Sequence, residues 1–298
     1  MENGNVFLFS IFHFQFSVMQ FGDYRIEMIP DTEFRLDGGA MFGVVPRVLW
    51  EKVAPPDEFN RVRLATNCLF VETTTEKILI ETGIGEKWTE KQTKIFGVFR
   101  RKTFAETLFE KTGCKPEDIT IVVNTHLHFD HCGGNTKPDE SGKIVPAFPN
   151  ARYFVSRKEF EHAENPHERD KASYLKENWE ALKKDGHLEL KPSVYEVVSG
   201  LTMTETRGHN GSMQIVCLKS GDETFYSFSD LIPTTAHIPL PWIMGYDLFP
   251  LETLENKKRL LPQALKENWL CWFYHDFETP LCRLVEERGK LKAIQIGI

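Results

Sequence analysis

The sequence has no long apolar run, no closely paired cysteines and no excess of positive charge. No stretch of about eighteen residues is free of polar interruption, so we expect a soluble protein without a membrane partner. The six cysteines include no Cys-x-x-Cys pair and are expected to be buried thiols of a reducing, cytoplasmic environment. A formal net charge of -7 disfavours nucleic acid as a partner, because phosphate neutralisation needs clustered Lys and Arg.

The remaining composition is that of a globular protein, with 41% hydrophobic and 27% charged residues. A length of 298 residues allows one large domain or two ordinary ones. Residues 1–18 are rich in Phe but contain Glu2 and neither Lys nor Arg, which is not typical of a secretion signal. We therefore treat residues 1–18 as an N-terminal extension that does not conform to the rest of the chain, which begins at Met19.

The chemistry is concentrated in the segment Thr125-His-Leu-His-Phe-Asp-His-Cys-Gly-Gly134, which follows the apolar run Ile119 to Val123. Such a run predicts a buried strand, so the polar side chains are expected in a loop at its carboxyl end. Imidazole and carboxylate groups suit zinc, iron or manganese, and four of them in six residues exceed what one catalytic zinc takes from one loop. A dinuclear metal centre is the sharper interpretation, and a solvated His-rich turn is the alternative.

Three further ligand-type residues lie next to the ends of predicted strands. His209 precedes the strand from Met213, and Asp230 follows the hairpin partner that ends at Ser229. The hairpin should therefore make His209 and Asp230 neighbours. His275 ends the apolar run from Leu270, which we predict to be the last core strand.

These residues resemble the metallo-β-lactamase fold superfamily, whose pattern is His-x-His-x-Asp-His, then a His after Gly, then an Asp, then a His. The resemblance extends from about Ile26 to His275. It implies an α/β fold, the four-layer αβ/βα sandwich, and a single domain over residues 19–298. By this resemblance, His126, His128 and His209 hold one metal, Asp130, His131 and His275 hold the other, and Asp230 bridges the two.

The resemblance further implies two divalent ions, Zn²⁺ above others, with a bridging hydroxide that attacks a carbonyl or phosphoryl centre. The summed charge of the two ions, the two Asp carboxylates and the hydroxide is then about +1, which favours water ionisation and oxyanion stabilisation. Asp130 is expected to be the catalytic residue that orients or shuttles a proton. Glu81 stands where related proteins often have Asp, and it either orients a metal-bound imidazole or lies in a surface turn.

The motif wording is most similar to the quorum-quenching lactonases and related ester or organophosphate hydrolases. Flavodiiron proteins usually carry Glu at the position of His128, and glyoxalase-type thioesterases add a helical domain for which only 23 residues remain after His275. Lactonases of this type have a Tyr three residues after the bridging Asp. Pro233 stands there in this chain, which leaves Tyr226 and Tyr246 as replacement candidates.

The leading hypothesis is a hydrolase of a lactone or another small ester with an apolar tail. Its pocket walls are expected from three apolar loops, residues 39–50, 88–99 and 238–242. The alternatives are an organophosphate or thioester hydrolase of the same fold, a mononuclear iron oxidoreductase similar to sulfur dioxygenases, and a catalytically silent metal-stabilised binding protein. A small-molecule substrate is the expected partner, and a homodimer is a further expectation. His162 and His167 are expected to be exposed helix residues.

Overall fold

Residues 19–296, the part of the chain that the computed structural model describes, are built around two seven-stranded β-sheets. The predicted extension, residues 1–18, lies outside the described residues, so its boundary stays a prediction. Residues 19–191 contain nine strands: β1 (Met19–Phe21), β2 (Tyr24–Asp37), β3 (Arg61–Glu72), β4 (Lys77–Ile80), β5 (Ile121–Val123), β6 (Thr136–Pro138), β7 (Ile144–Pro146), β8 (Arg152–Ser156) and β9 (Leu188–Lys191). The first sheet has the order β1-β2-β3-β4-β5-β8-β9, and β6 and β7 form a separate antiparallel pair.

The second sheet follows chain order from its first strand to its last. Its strands are β10 (Val194–Val198), β11 (Leu201–Glu205), β12 (Gln214–Ser220), β13 (Glu223–Ser227), β14 (Leu270–Trp272), β15 (Leu281–Glu287) and β16 (Lys290–Gln295). The expectation that the run from Leu270 is the last core strand is wrong, because the hairpin β15–β16 pairs beyond it. Its edge strand β16 exposes most of its residues, including Lys290 and Ile294, and so carries little apolar periodicity.

Eight α-helices complete the described part of the chain. They are α1 (Gly38–Phe42), α2 (Arg47–Trp50), α3 (Glu90–Phe96), α4 (Phe104–Thr112), α5 (Phe129–Cys132), α6 (Arg157–Glu164), α7 (Glu180–Lys184) and α8 (Pro250–Lys266). The loop predicted after Gly38 is instead the helix pair α1 and α2. It begins where the Asp37 carboxylate accepts a hydrogen bond from the Ala40 amide at 2.8 Å, a cap that opens the helix despite two glycines. None of the helices in residues 19–296 is long and apolar enough to cross a membrane.

The two sheets pack face to face and carry helices on their other faces, which confirms the expected αβ/βα sandwich. Strand β12 shows how this arrangement is encoded. Val216 and Leu218 face the main core between the sheets, whereas Ile215 packs in a second apolar cluster with Leu260 and Leu261 of α8. Because neighbouring side chains point to opposite faces, a strand buried on both faces reads as a nearly continuous apolar run.

The sheets are joined by hydrogen bonds at the edge where the ligand-type residues lie. The Ala65 amide donates to the His275 carbonyl at 3.1 Å, and the Asn67 amide donates to the Tyr274 carbonyl at 3.1 Å. Strands β4, β5, β13 and β14 all end at this edge. Since β4 runs parallel to β5 and β13 runs parallel to β14, their carboxyl ends deliver polar side chains to one place.

Candidate metal centre

The His-rich loop begins at the end of β5 and turns at once into the one-turn helix α5, which carries Asp130 and His131. The loop is folded tightly against the segment after β4. A Cβ on Gly133 would lie 2.2 Å from the Ile84 carbonyl oxygen, so only glycine permits this backbone approach. The Thr82 amide donates to the His131 carbonyl at 2.9 Å and holds the same contact. The alternative of a solvated turn is excluded, because His126 and His131 are fully buried.

Three imidazoles from two loops form a first group. The Nε2 of His126 lies 3.2 Å from the Nδ1 of His128, and the Nε2 of His209 lies 3.1 Å from the same Nδ1. The three nitrogens thus meet at one point. A tetrahedral metal with ligands at 2.0–2.1 Å has ligand atoms about 3.3 Å apart, so this spacing fits one ion.

A second group joins the helix α5 to the end of β14. The Nε2 of His131 lies 3.1 Å from the Nε2 of His275, and the Oδ2 of Asp130 lies 3.5 Å from the same His275 nitrogen. These three side chains are buried and mutually close enough to ligate a cation. The arrangement again matches the ligand spacing of a single ion.

Asp230 lies between the two groups. Its Oδ1 is 3.2 Å from the Nε2 atoms of both His131 and His275, and its Oδ2 is 3.5 Å from the Nε2 of His209. Despite these short distances, Oδ1 makes no hydrogen bond of acceptable geometry and is inaccessible to solvent. A buried carboxylate oxygen without a donor needs another positive partner, and the surrounding imidazole nitrogens make a metal ion the chemically suitable one. The donor set therefore fits divalent metal.

Three of the imidazoles, those of His131, His209 and His275, are fixed from behind by a second contact, as is usual for histidines that bind metals. The Glu81 carboxylate lies 3.2 Å from the Nδ1 of His131, and Asp247 lies 3.1 Å from the Nδ1 of His209. The Nδ1 of His275 donates to the Ala65 carbonyl at 2.9 Å. These contacts direct the Nε2 atoms toward Asp230.

Glu81 is 1% exposed, so the surface-turn alternative is wrong. One Glu81 oxygen also lies close enough to His126 and His131 to share a cation with them. We assign it instead to orientation, because the same oxygen accepts hydrogen bonds from the Thr125 amide at 3.1 Å and from the Thr125 hydroxyl. It also faces Nδ1 of His131, the nitrogen opposite the one near Asp230.

Burial and neighbouring charges shift the pKa values of the residues in the centre in opposite directions. Burial, followed by the neighbouring imidazoles, lowers the pKa of His126 and of His128 well below the ordinary value. Burial also acts to lower the pKa of His131, but the charges of Asp230 and Glu81 outweigh it and raise that pKa well above its usual range. Although burial raises the pKa of Asp230, the nearby histidines prevail and hold it well below normal. The negative charge of the Asp230 carboxylate thus favours a cation beside it.

A cavity of about 450 Å³ opens onto this centre. His128, Asp130, His209, Asp230 and His275 line its floor. Its apolar walls are Leu36, Ala40, Met41, Leu64, Phe96, Phe129 and Met244. Two of the three loops expected to form the walls contribute to them. The third, residues 238–242, does not: Ile238 is buried under α8, and Trp242 packs edge-on against Phe42 at 5.7 Å between ring centroids.

The two tyrosine candidates are now distinguished. Tyr246 lines the cavity beside the centre. Tyr226 lies elsewhere, stacked on Trp269 with ring centroids 4.3 Å apart in the cluster under α8. Only Tyr246 is therefore placed to contact a molecule in the cavity.

The expectation that His162 and His167 are both exposed helix residues is only half right. His167 lies in the loop after α6 and is exposed. His162 is half-buried in α6, with its Nε2 2.7 Å from the Oδ2 of Asp170, a residue of the cavity wall.

Fold and site together define a metal-binding protein of the αβ/βα sandwich class, and comparison with known proteins agrees. The model of the metallo-beta-lactamase superfamily matches residues 61–271. An N-acyl homoserine lactonase of Bacillus cereus is 29% identical to this chain, over 74% of this chain and 84% of the relative. The crystal structure of a probable metal-dependent hydrolase from Staphylococcus aureus has 30% identity and a TM-score of 0.84, covering 94% of this chain and all of that one.

A further solved structure, described as that of AidC, a dizinc quorum-quenching lactonase, has a TM-score of 0.78 at 21% identity and covers 95% of this chain and 98% of that one. At this identity the likeness shows the shared fold. The chain belongs to the metallo-beta-lactamase superfamily. The expected enzyme class, a metal-dependent hydrolase, is confirmed, and its cofactor is divalent metal.

Proposed function

We propose that this protein is a dinuclear zinc hydrolase that opens a lactone or cleaves another small carboxylic ester. The observation that carries the proposal is the position of Asp230, whose two oxygens reach the two histidine groups separately. The lactonase activity named for the Bacillus cereus relative supports the substrate class.

In this proposal the groups already described would hold two ions, one by His126, His128 and His209 and the other by Asp130, His131 and His275. Asp230 lies between them. Two zinc ions would supply a hydroxide nucleophile at neutral pH and a Lewis acid for the carbonyl oxygen. The rest of the chemistry depends on the protein's own residues.

Asp130 is the proposed proton carrier. It lines the cavity, and its Oδ2 lies 3.5 Å from the Nε2 of His275. Its backbone is held by the Tyr274 hydroxyl, which donates to the Asp130 carbonyl at 2.6 Å. A carboxylate on a backbone fixed in this way can accept the proton that water loses when the hydroxide nucleophile forms and return it to the alkoxide that leaves when the ester bond breaks.

Tyr246 is the proposed hydrogen-bond donor to the substrate oxygen. It would take the role of the lactonase tyrosine, whose position is occupied by Pro233 in this chain. Burial, together with the charges of Asp37 and Asp130, raises the pKa of Tyr246 to about 12. Its hydroxyl therefore stays protonated at neutral pH and can donate a hydrogen bond to the developing oxyanion. The apolar walls, including Leu36 and Phe96, suit the hydrocarbon part of a small ester.

The mononuclear iron alternative explains less of the site. One ion would use one histidine group and leave the second group, with Asp130, buried without a function. It would also leave one oxygen of the Asp230 carboxylate without a positive partner. The spacing of both groups favours two ions.

The test combines metal analysis with a substrate panel of lactones, aryl esters, thioesters and phosphotriesters. Zinc-loaded protein is expected to hydrolyse a lactone or an aryl ester, and Asp230→Ala is expected to lower that rate at least about 100-fold. Asp222→Ala is the matched control, because Asp222 is an exposed residue in the turn of the same hairpin. Zinc-loaded protein that hydrolyses neither substrate type, together with an Asp230→Ala variant that behaves like wild type, would overturn the proposal.

A further inference from the structure

Glu159 is a fully buried acidic residue outside the two ligand groups. It lies in the first turn of α6, and its carboxylate accepts four hydrogen bonds. Oε1 accepts from the Leu127 amide at 2.8 Å and from the Tyr174 hydroxyl at 3.0 Å. Oε2 accepts from the Asn210 side-chain amide at 3.1 Å and from the Ser212 hydroxyl at 2.6 Å. All four donors are buried, so the carboxylate is the centre of a buried hydrogen-bond network.

The donors come from the two loops that carry the first histidine group. Leu127 lies between His126 and His128, and its amide bond to Glu159 fixes the backbone that separates these two imidazoles. Asn210 follows His209 directly in the chain. The Glu159 carboxylate therefore connects two loops that are far apart in sequence, since His128 and His209 are separated by 81 residues.

The Tyr174 hydroxyl extends the same network to an imidazole ring. It also accepts a hydrogen bond from the Asn210 side-chain amide at 3.1 Å. The Tyr174 ring packs against the His128 ring, with ring centroids 4.7 Å apart and an interplanar angle of 70°. Glu159 thus restricts the position of the His128 ring in two ways, through the backbone at Leu127 and through the ring of Tyr174. Neither contact reaches His131 or His275.

Glu81 performs the corresponding task on the other side, where it contacts His131 directly. On the assumption of the proposed dinuclear function, we propose that Glu159 is a positioning residue for the first metal alone. It sets the distances among His126, His128 and His209, so that loss of its hydrogen bonds weakens that ion and leaves the ion near His131 and His275 in place.

The test is zinc affinity, measured for each group separately by competition with a chromophoric chelator. In a His275→Ala background the first group is measured, and in a His209→Ala background the second. Glu159→Gln is expected to raise the dissociation constant of the first group about 10- to 100-fold and to leave the second unchanged. The substitution is disruptive because the new amide NH₂ must face either the Leu127 amide or the Asn210 amide, neither of which can accept.

Glu161→Gln is the matched control, since Glu161 is exposed two residues further along α6. If Glu159→Gln does not fold, Ser212→Ala and Tyr174→Phe each remove one donor and are expected to shift the first affinity in the same direction by less. Equal weakening of both groups, or no weakening of the first, would overturn the inference while wild type still binds two ions and hydrolyses ester. Wild type that binds fewer than two ions would overturn the proposed function and, with it, this inference.

Discussion

Glu81 allows the sharpest calculation of what orients a buried imidazole. It is 1% exposed, and its backbone has a left-handed φ of 64°, a conformation held by the close contact with the His-rich loop. Glu81→Ala leaves the Thr125 amide, now 3.1 Å from Glu81, and the His131 Nδ1, now 3.2 Å away, without an acceptor. The Thr125 hydroxyl and the Asn124 side-chain amide, which also contact Glu81, keep the His126 Nδ1 and the His131 carbonyl as other partners. Each buried donor left without an acceptor costs about 1–3 kcal/mol, so the metal-free protein should lose about 2–6 kcal/mol of unfolding free energy.

The assay is urea unfolding of the metal-free proteins, followed by circular dichroism. The matched control is Glu86→Ala, an exposed change five residues further along the same segment, which should stay within about 0.5 kcal/mol of wild type. Glu81→Asp should fall between them, because one methylene less draws the carboxylate away from His131. A Glu81→Ala variant whose unfolding free energy lies within about 1 kcal/mol of wild type would refute the argument that this carboxylate satisfies buried donors.

Three further predictions concern neighbouring groups. Burial lowers the pKa of His237 to about 4, so below about pH 6.5 the unfolded chain binds a proton at this residue that the folded chain does not. This one group should lower the unfolding free energy by about 2 kcal/mol between pH 7 and pH 5, so wild type should lose about 2 kcal/mol more than His237→Gln over this range in urea titrations. Tyr246→Phe should lower kcat about 10- to 100-fold with little change in KM, whereas Tyr226→Phe should leave both constants unchanged; equal effects would contradict the assignment. Asp247→Asn should weaken zinc binding about 10- to 100-fold by releasing His209, and unchanged affinity in chelator competition would contradict that role.

The ligand set could be predicted from the sequence because its chemistry is local. His126, His128, Asp130 and His131 occupy one loop, and His209, Asp230 and His275 each lie next to the end of a strand that the apolar pattern reveals. The strand ends then meet because the parallel pairs β4–β5 and β13–β14 share one edge. The structure places all seven side chains together, while their individual roles remain proposals.

The supporting contacts could not be predicted, because each depends on tertiary distance. Asp247 reaches His209 across 38 residues, and Glu159 reaches Asn210 across 51, with no motif to mark either one. The same limit applies to Tyr226 and Tyr246, which look equivalent in sequence. A tyrosine on a strand next to Trp269 stacks in the core, whereas one in the loop before α8 lines the cavity.

The C-terminal hairpin was missed for a different reason. Strand β15 alternates the buried residues Cys282 and Leu284 with half-exposed ones, but its partner β16 is an exposed edge. Edge strands bear charges such as Lys290 that weaken the apolar pattern. Their pairing follows from the register with the strand beside them, which the single sequence does not display.

The central claim is that Asp230 joins two metal ions in one site, and the most direct measurement of it is zinc stoichiometry at equilibrium. Wild-type protein titrated with zinc against a chromophoric chelator should bind two ions per chain, and Asp230→Asn should retain its histidine groups yet bind both ions more weakly. One ion per chain in wild type, or two ions of unchanged affinity in Asp230→Asn, would contradict the account.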